Sequence, residues 1–249
     1  MYHLIKYEVR KQILTKIIIV LFLCAFEIML IISVLSGNKD SITIVNGILK
    51  VAAVIGLFYI AFDPIAAFDN DLGKKQGYLL FMTPNSTQRI ITAKLLAGAI
   101  QFMLYYSLFV GLFTMNNGLL SWSYGTTVNQ LDDIFNAFGD VGFSFTEFIV
   151  TGIFLLCLWF DVISLTFLSI SISYAYISKG KLNTFISILL FIILFIAETL
   201  LISGPIMITF DASGSLEASF ILLSNLLFVI PAIFNYCSTI LTLDKKVSI

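Results

Sequence analysis

Charge is what this sequence has least of: only 12% of its 249 residues are Asp, Glu, Lys or Arg, while 59% are hydrophobic. Soluble domains carry about a quarter charged and about half apolar residues. A soluble fold is therefore excluded, because there are too few charged side chains to cover its surface. Lipid has to be the solvent. Histidine is nearly absent, and the single His3 excludes a serine–histidine dyad, an HExxH zinc site and any histidine-based membrane hydrolase. Cysteine is scarce too: Cys24, Cys157 and Cys237 lie inside apolar runs with no CxxC spacing, so they read as small buried hydrophobes and hold no metal. No phosphate loop occurs, since the clusters around Gly73 and Gly180 lack the upstream glycine and the following hydroxyl. An intramembrane aspartyl protease needs two facing aspartates, and only Asp161 has the depth. With a net charge of -1, nucleic acid is not expected as a partner.

What is present is a series of apolar runs: Ile17 to Leu35, Ile42 or Ile48 to Phe62 or Phe68, Ile90 to Phe113, Phe148 to Ile177, Leu182 to Ile202 and Phe220 to Leu241. Each is long enough to be read as a span of roughly 20 residues, and the fourth is long enough to tilt or to project beyond the bilayer. The expected fold is an all-α polytopic membrane protein with six transmembrane helices, residues 1–249 forming one membrane domain. The first run is too long for a signal-peptide core and no small-x-small site follows it, so it is expected to stay as an anchor. Twelve of the fourteen Lys and Arg lie before the first span (Lys6, Arg10, Lys11, Lys16), between the second and third (Lys74, Lys75, Arg89, Lys94), between the fourth and fifth (Lys179, Lys181) or after the sixth (Lys245, Lys246). The positive-inside rule then predicts cytoplasmic termini. On the outer side, residues 115–147 contain Asp132, Asp133, Asp140 and Glu147 without a Lys or Arg.

Three segments outside the spans carry patterns of their own. In residues 1–16, Tyr2, Ile5, Val9 and Ile13 recur at helical spacing with Lys6 and Arg10 beside them, predicting an amphipathic elbow helix on the inner leaflet. Residues 63–89 are too polar to span, yet contain the apolar patch Tyr78, Leu79, Leu80, Phe81 and Met82. Such a patch is either a docking surface or a set of aromatics tucked against the bilayer. In the outer loop, Leu131, Phe135 and Phe138 predict a short interfacial helix. The triplet Asn85-Ser86-Thr87 matches a glycosylation sequon, but the charge bias puts it in the cytoplasm, and Ser86 reads instead as the cap of the third span.

The loop sequence supports a resemblance. Asp69 and Asp71, Gly73, the run Gln76-Gly77-Tyr78-Leu79-Leu80, Thr83-Pro84 and Lys94 ahead of an apolar span resemble the corresponding loop of type 2 permeases of bacterial ATP-binding-cassette exporters. The amphipathic start, six spans and cytoplasmic termini are similar to that family as well. The resemblance implies that residues 63–89 hold a coupling segment, with Tyr78, Leu80, Phe81, Thr83 and Pro84 in or near the contact with a separate ATPase. It also implies that the chain is no enzyme itself and carries no cofactor, ATP and magnesium residing on the ATPase subunit. A second permease, identical or similar, would complete the transporter in the plasma membrane. The substrate would be amphipathic and could be a peptide, as in antimicrobial peptide export or resistance. The departure from the simplest members is the long aromatic, acidic outer loop.

The remaining candidates are polar residues inside spans: Glu27, Lys50, Asp161, Ser164 and Glu198. Ionisable groups at membrane depth are costly and face partners or water. Glu27 and Lys50 would share one level of a helical hairpin if Leu35 and Ile42 mark its outer ends, which allows an ion pair; alternatively Lys50 snorkels to the headgroups. Cys157, Ser164, Ser171, Ala175 and Ser178 form a small or polar stripe with Asp161, which is either a close packing face or the lining of a path. Two other classes fit the composition: a secondary transporter or channel, and a non-transporting binding or immunity protein. The first typically shows an internal repeat, and none is evident.

Overall fold

The structure is a computed structural model that describes residues 2–73, 86–124, 145–176, 181–213 and 218–247. These form six α-helices: α1 (Tyr2–Ser36), α2 (Lys39–Gly73), α3 (Thr87–Tyr124), α4 (Phe145–Tyr176), α5 (Lys181–Ser213) and α6 (Ala218–Val247). Each contains a stretch long and apolar enough to cross a membrane. The protein is accordingly all-helical among its described residues and membrane-embedded by composition. Helix is what lipid requires of an open chain, since every backbone group must find its partner within the segment.

Local chemistry sets the helix ends. Gly37 adopts φ 70°, a left-handed conformation that a side chain would strain, and its N–H bonds back to the Val34 carbonyl at 3.2 Å. Asn38 then starts α2, its Oδ1 accepting from the Ser41 N–H at 3.4 Å. Ser86 caps α3 as its sequence position predicts. Its hydroxyl accepts from the Arg89 N–H at 3.4 Å and its carbonyl from Ile90 at 3.3 Å.

Several helices outrun the apolar runs. The 35 residues of α1 extend about 52 Å, well beyond the roughly 30 Å of a hydrocarbon core. Residues 2–16 continue into the first span without a break. At its C-terminus α2 reaches Gly73, so only residues 74–85 of the expected coupling segment lie outside the described residues. Helix α3 continues past Phe113 to Tyr124, so Asn116 belongs to a helix and not to the outer loop. The expected interfacial helix around Leu131, Phe135 and Phe138 lies outside the described residues.

The helices group into two compact units. One comprises Met1–Ile5, Phe62–Ala99 and Ile153–Ile249; the other comprises Lys6–Ala61 and Ile100–Gly152. In the second, Leu23, Ala53, Ile60 and Tyr105 form a buried core. In the first, the rings of Phe68 and Phe167 stack at 4.1 Å between α2 and α4, both fully buried. Gly98 of α3 lets that helix approach α2 and α4 closely, because a Cβ there would come within 2.7 Å of the Pro64 ring and 3.0 Å of Trp159. Thr92 and Tyr236 join α3 to α6 through hydroxyls 2.6 Å apart, and the Ser173 hydroxyl donates to the Asn183 carbonyl at 2.8 Å, joining α4 to α5.

The three cysteines are unpaired, but Cys24 and Cys237 are exposed and Cys157 is half-buried, which corrects the expectation of burial. An apolar side chain on a membrane helix gains nothing from leaving lipid for protein, so hydrophobicity alone does not send it inward.

Candidate functional site

Among the described residues, two groups of polar side chains and one ionic brace join helices through side chains that carry or can carry charge. The brace lies at the C-terminal end of α2. The Lys94 ammonium of α3 pairs with the Asp71 carboxylate, with side-chain exposures of 2% and 14%. Two residues earlier on the same helix end, Asp69 accepts a hydrogen bond from the Tyr174 hydroxyl of α4 at 3.1 Å. Gly73 makes room for that phenol, since a Cβ there would stand 2.8 Å from its oxygen. Thus Asp69, Asp71, Gly73 and Lys94, the described residues of the loop pattern, hold the ends of α2 and α3 together and tie α2 to α4. The expected ATPase contacts Tyr78, Leu80, Phe81, Thr83 and Pro84 lie outside the described residues.

The second unit contains a polar group on α1, α2 and α3. Glu27 accepts a hydrogen bond from the Asn116 Nδ2 at 2.9 Å, and both are buried. Lys50 is buried as well, its ammonium 5.2 Å from the centre of the Phe113 ring, a cation–π contact. Glu27 thus takes Asn116 where matching depth allowed Lys50. The physical reason is that equal depth does not fix rotation about the helix axis, and α3 supplies a carboxamide donor and an aromatic face. Asn46, one turn from Lys50, is also buried.

The first unit contains the other group, on α4, α5 and α6. Asp161 and Glu198 approach within hydrogen-bonding reach of one another. Glu198 Oε1 also accepts from Asn235 Nδ2 at 3.3 Å. Asp161 and Asn235 are 6% and 5% exposed. The structure thus brings together two carboxyls 37 positions apart in the chain, whose partnership nothing in the sequence spacing signals. Asn116 and Asn235 were not singled out by sequence reasoning. A usable signal existed: a buried carboxamide in an apolar run needs a partner, and Asn116 donates to the buried Glu27 and Asn235 to the half-buried Glu198.

Ser164 is fully buried, and its hydroxyl bonds to the Asp161 carbonyl at 2.9 Å; Ser171 bonds likewise to Phe167 at 2.7 Å. Hydroxyls turned back onto their own helix favour the packing reading of that stripe over the path reading. Ser178 lies outside the described residues. No group of three or more His, Cys, Asp or Glu suited to a metal occurs among the described residues.

Comparison with known proteins gives no match to a family model, to a curated protein or to a solved structure.

Proposed function

We infer that this chain is the membrane permease subunit of an ATP-binding-cassette exporter, driven by ATP hydrolysis on a separate subunit. The observation that carries the reading is the brace at the base of residues 74–85. A coupling segment has to move the spans on either side of it as one body. The buried Lys94–Asp71 pair, with the Tyr174–Asp69 hydrogen bond, links those two spans and α4 at that end. The family resemblance of the loop sequence supports the same reading, and the apolar patch Tyr78 to Met82 provides a surface for the ATPase, with Tyr78, Leu80, Phe81, Thr83 and Pro84 in the contact. On this reading the termini and the 74–85 segment are cytoplasmic, residues 1–16 form the elbow entering the first span, and a second permease, identical or similar, completes the transporter in a bacterial plasma membrane. The exported substrate is amphipathic, a cationic peptide being the kind that the acidic outer segment suits.

Two measurements test it. Purified alone, the chain is expected to hydrolyse no ATP; isolated from its own cells by a C-terminal tag, it is expected to retain an ATPase that carries a phosphate loop. Phe81→Asp or Leu80→Asp is expected to abolish that retention while membrane insertion persists, because an unpaired charge in a buried apolar contact is costly. Intrinsic ATP hydrolysis, or unchanged retention by both variants, overturns the reading.

A further inference from the structure

A proton shared between the Asp161 and Glu198 carboxyls satisfies one oxygen of each, and the pair still leaves two buried oxygens without a donor. Asp161 Oδ1 and Glu198 Oε2 are both buried without a hydrogen-bond partner. Helix α4 has no Lys, Arg or His anywhere in Phe145–Tyr176. On α5 the one basic residue is Lys181, seventeen positions from Glu198 and so about 25 Å along the axis. On α6 it is Lys245 and Lys246, ten or more positions and about 15 Å from Asn235. From the part of α3 in this unit, Lys94 is paired with Asp71 and Arg89 is exposed in the first turn, and His3 at the start of α1 is exposed as well. Among the described residues, the side chain seen donating to Glu198 from outside the pair is the Asn235 carboxamide, which is neutral.

Next to this acceptor-rich site lies a cavity of about 450 Å³ between α4, α5 and α6. Glu198 and Asn235 form its polar end, while Leu165, Leu194, Ala197 and Phe234 are among the apolar side chains of its wall. Pro231, also at the wall, has no N–H to give the Leu227 carbonyl, which adds an acceptor without a helical donor. The chemistry is one-sided: unfilled carboxyl oxygens at one end, aliphatic surface along the rest. An anionic lipid would meet the carboxyls with like charge. A hydrocarbon chain would fill the wall and leave the buried oxygens unpaired, and a bare inorganic cation would satisfy the oxygens and leave the apolar volume empty.

We propose that Asp161, Glu198 and Asn235, with the adjoining cavity, form a binding site for an amphipathic amine. Its ammonium donates to the two carboxyls and its apolar body lies along the α5–α6 wall. The site stands on its own geometry and does not depend on an ATPase partner, so its failure and that of the permease reading are separate results.

The test uses the full chain in nanodiscs of neutral phospholipid, with empty nanodiscs as the partition control. Radiolabelled octylamine is expected to bind saturably, while octanol and octanoate of equal length show only partition. Glu198→Gln, which keeps the shape and an acceptor for Asn235, is expected to weaken amine binding at least tenfold. Ala197→Trp occupies the cavity from an exposed position on its wall, and is expected to abolish saturable binding with the helical circular dichroism unchanged. It keeps the test decisive even where a carboxyl variant fails to fold. Equal saturable binding of octanol and octylamine, or wild-type amine affinity in either variant, overturns the proposal.

Discussion

At the scale of single residues, the molecule answers one question repeatedly: where does a polar group inside an apolar helix find its partner? For Glu27 the answer is Asn116, 2.9 Å away on α3. Removing one member of such a pair leaves the other desolvated without compensation, a loss of about 1–3 kcal/mol and more for a charged group. Asn116→Leu is therefore expected to lower thermal stability in detergent by that order. A double-mutant cycle is the sharper measurement: Glu27→Gln and Asn116→Ala are expected to couple more strongly than Glu27→Gln and Lys50→Gln. Stronger coupling to Lys50 would favour the ion pair that matching depth allows. Depth was readable from residue counting along two apolar runs, whereas the partner was not, because Asn116 sits just past the last strongly apolar residue of its run and reads there as the start of a loop.

At the scale of helices, the ends are written in short local patterns and the faces are not. Gly37-Asn38 turns α1 into α2, and Ser86 starts α3, each by hydrogen bonds that span four residues or fewer. Those are legible because capping chemistry is local. The brace between α2 and α3 joins residues 23 positions apart across the expected coupling segment. Breaking a buried pair from one side is strongly destabilising, while replacing both partners by apolar groups is often tolerated. Lys94→Met is thus expected to cost roughly 3 kcal/mol or more in thermal unfolding, and Lys94→Met with Asp71→Leu is expected to recover most of that stability. If the brace serves coupling, the recovered double variant still retains less ATPase-driven export than the wild type. Full export by that variant would make the pair structural only.

At the scale of the whole molecule, the solvent is lipid, and the exposed side chains follow from that. Leu14, Leu21 and Leu35 of α1 and Leu200 and Leu201 of α5 are each well exposed. In water such a surface would aggregate; in a bilayer it is the surface that hydrocarbon solvates. Cys24 and Cys237 share this environment, being exposed within the apolar stretches of α1 and α6. A charged, membrane-impermeant maleimide is expected to leave both unlabelled in intact membranes and to label them after denaturation in sodium dodecyl sulfate. Labelling of either in intact membranes would mean that its helix face meets water, and would revise where the lipid boundary of that helix runs.

The sequence by itself determined the solvent, the helical class and the six apolar stretches, because hydropathy and backbone satisfaction in lipid are decided over about 20 neighbouring residues. It also determined the capped turns, whose bonds close within one helical turn. Only the tertiary structure decided the pairings: Glu27 with Asn116, Lys50 over Phe113, Lys94 with Asp71, and Glu198 with Asp161 and Asn235. Each depends on how a helix is rotated about its axis and which neighbour it meets. In lipid, where the outside of a helix is as apolar as its inside, no alternation of hydrophobicity along the chain records that choice.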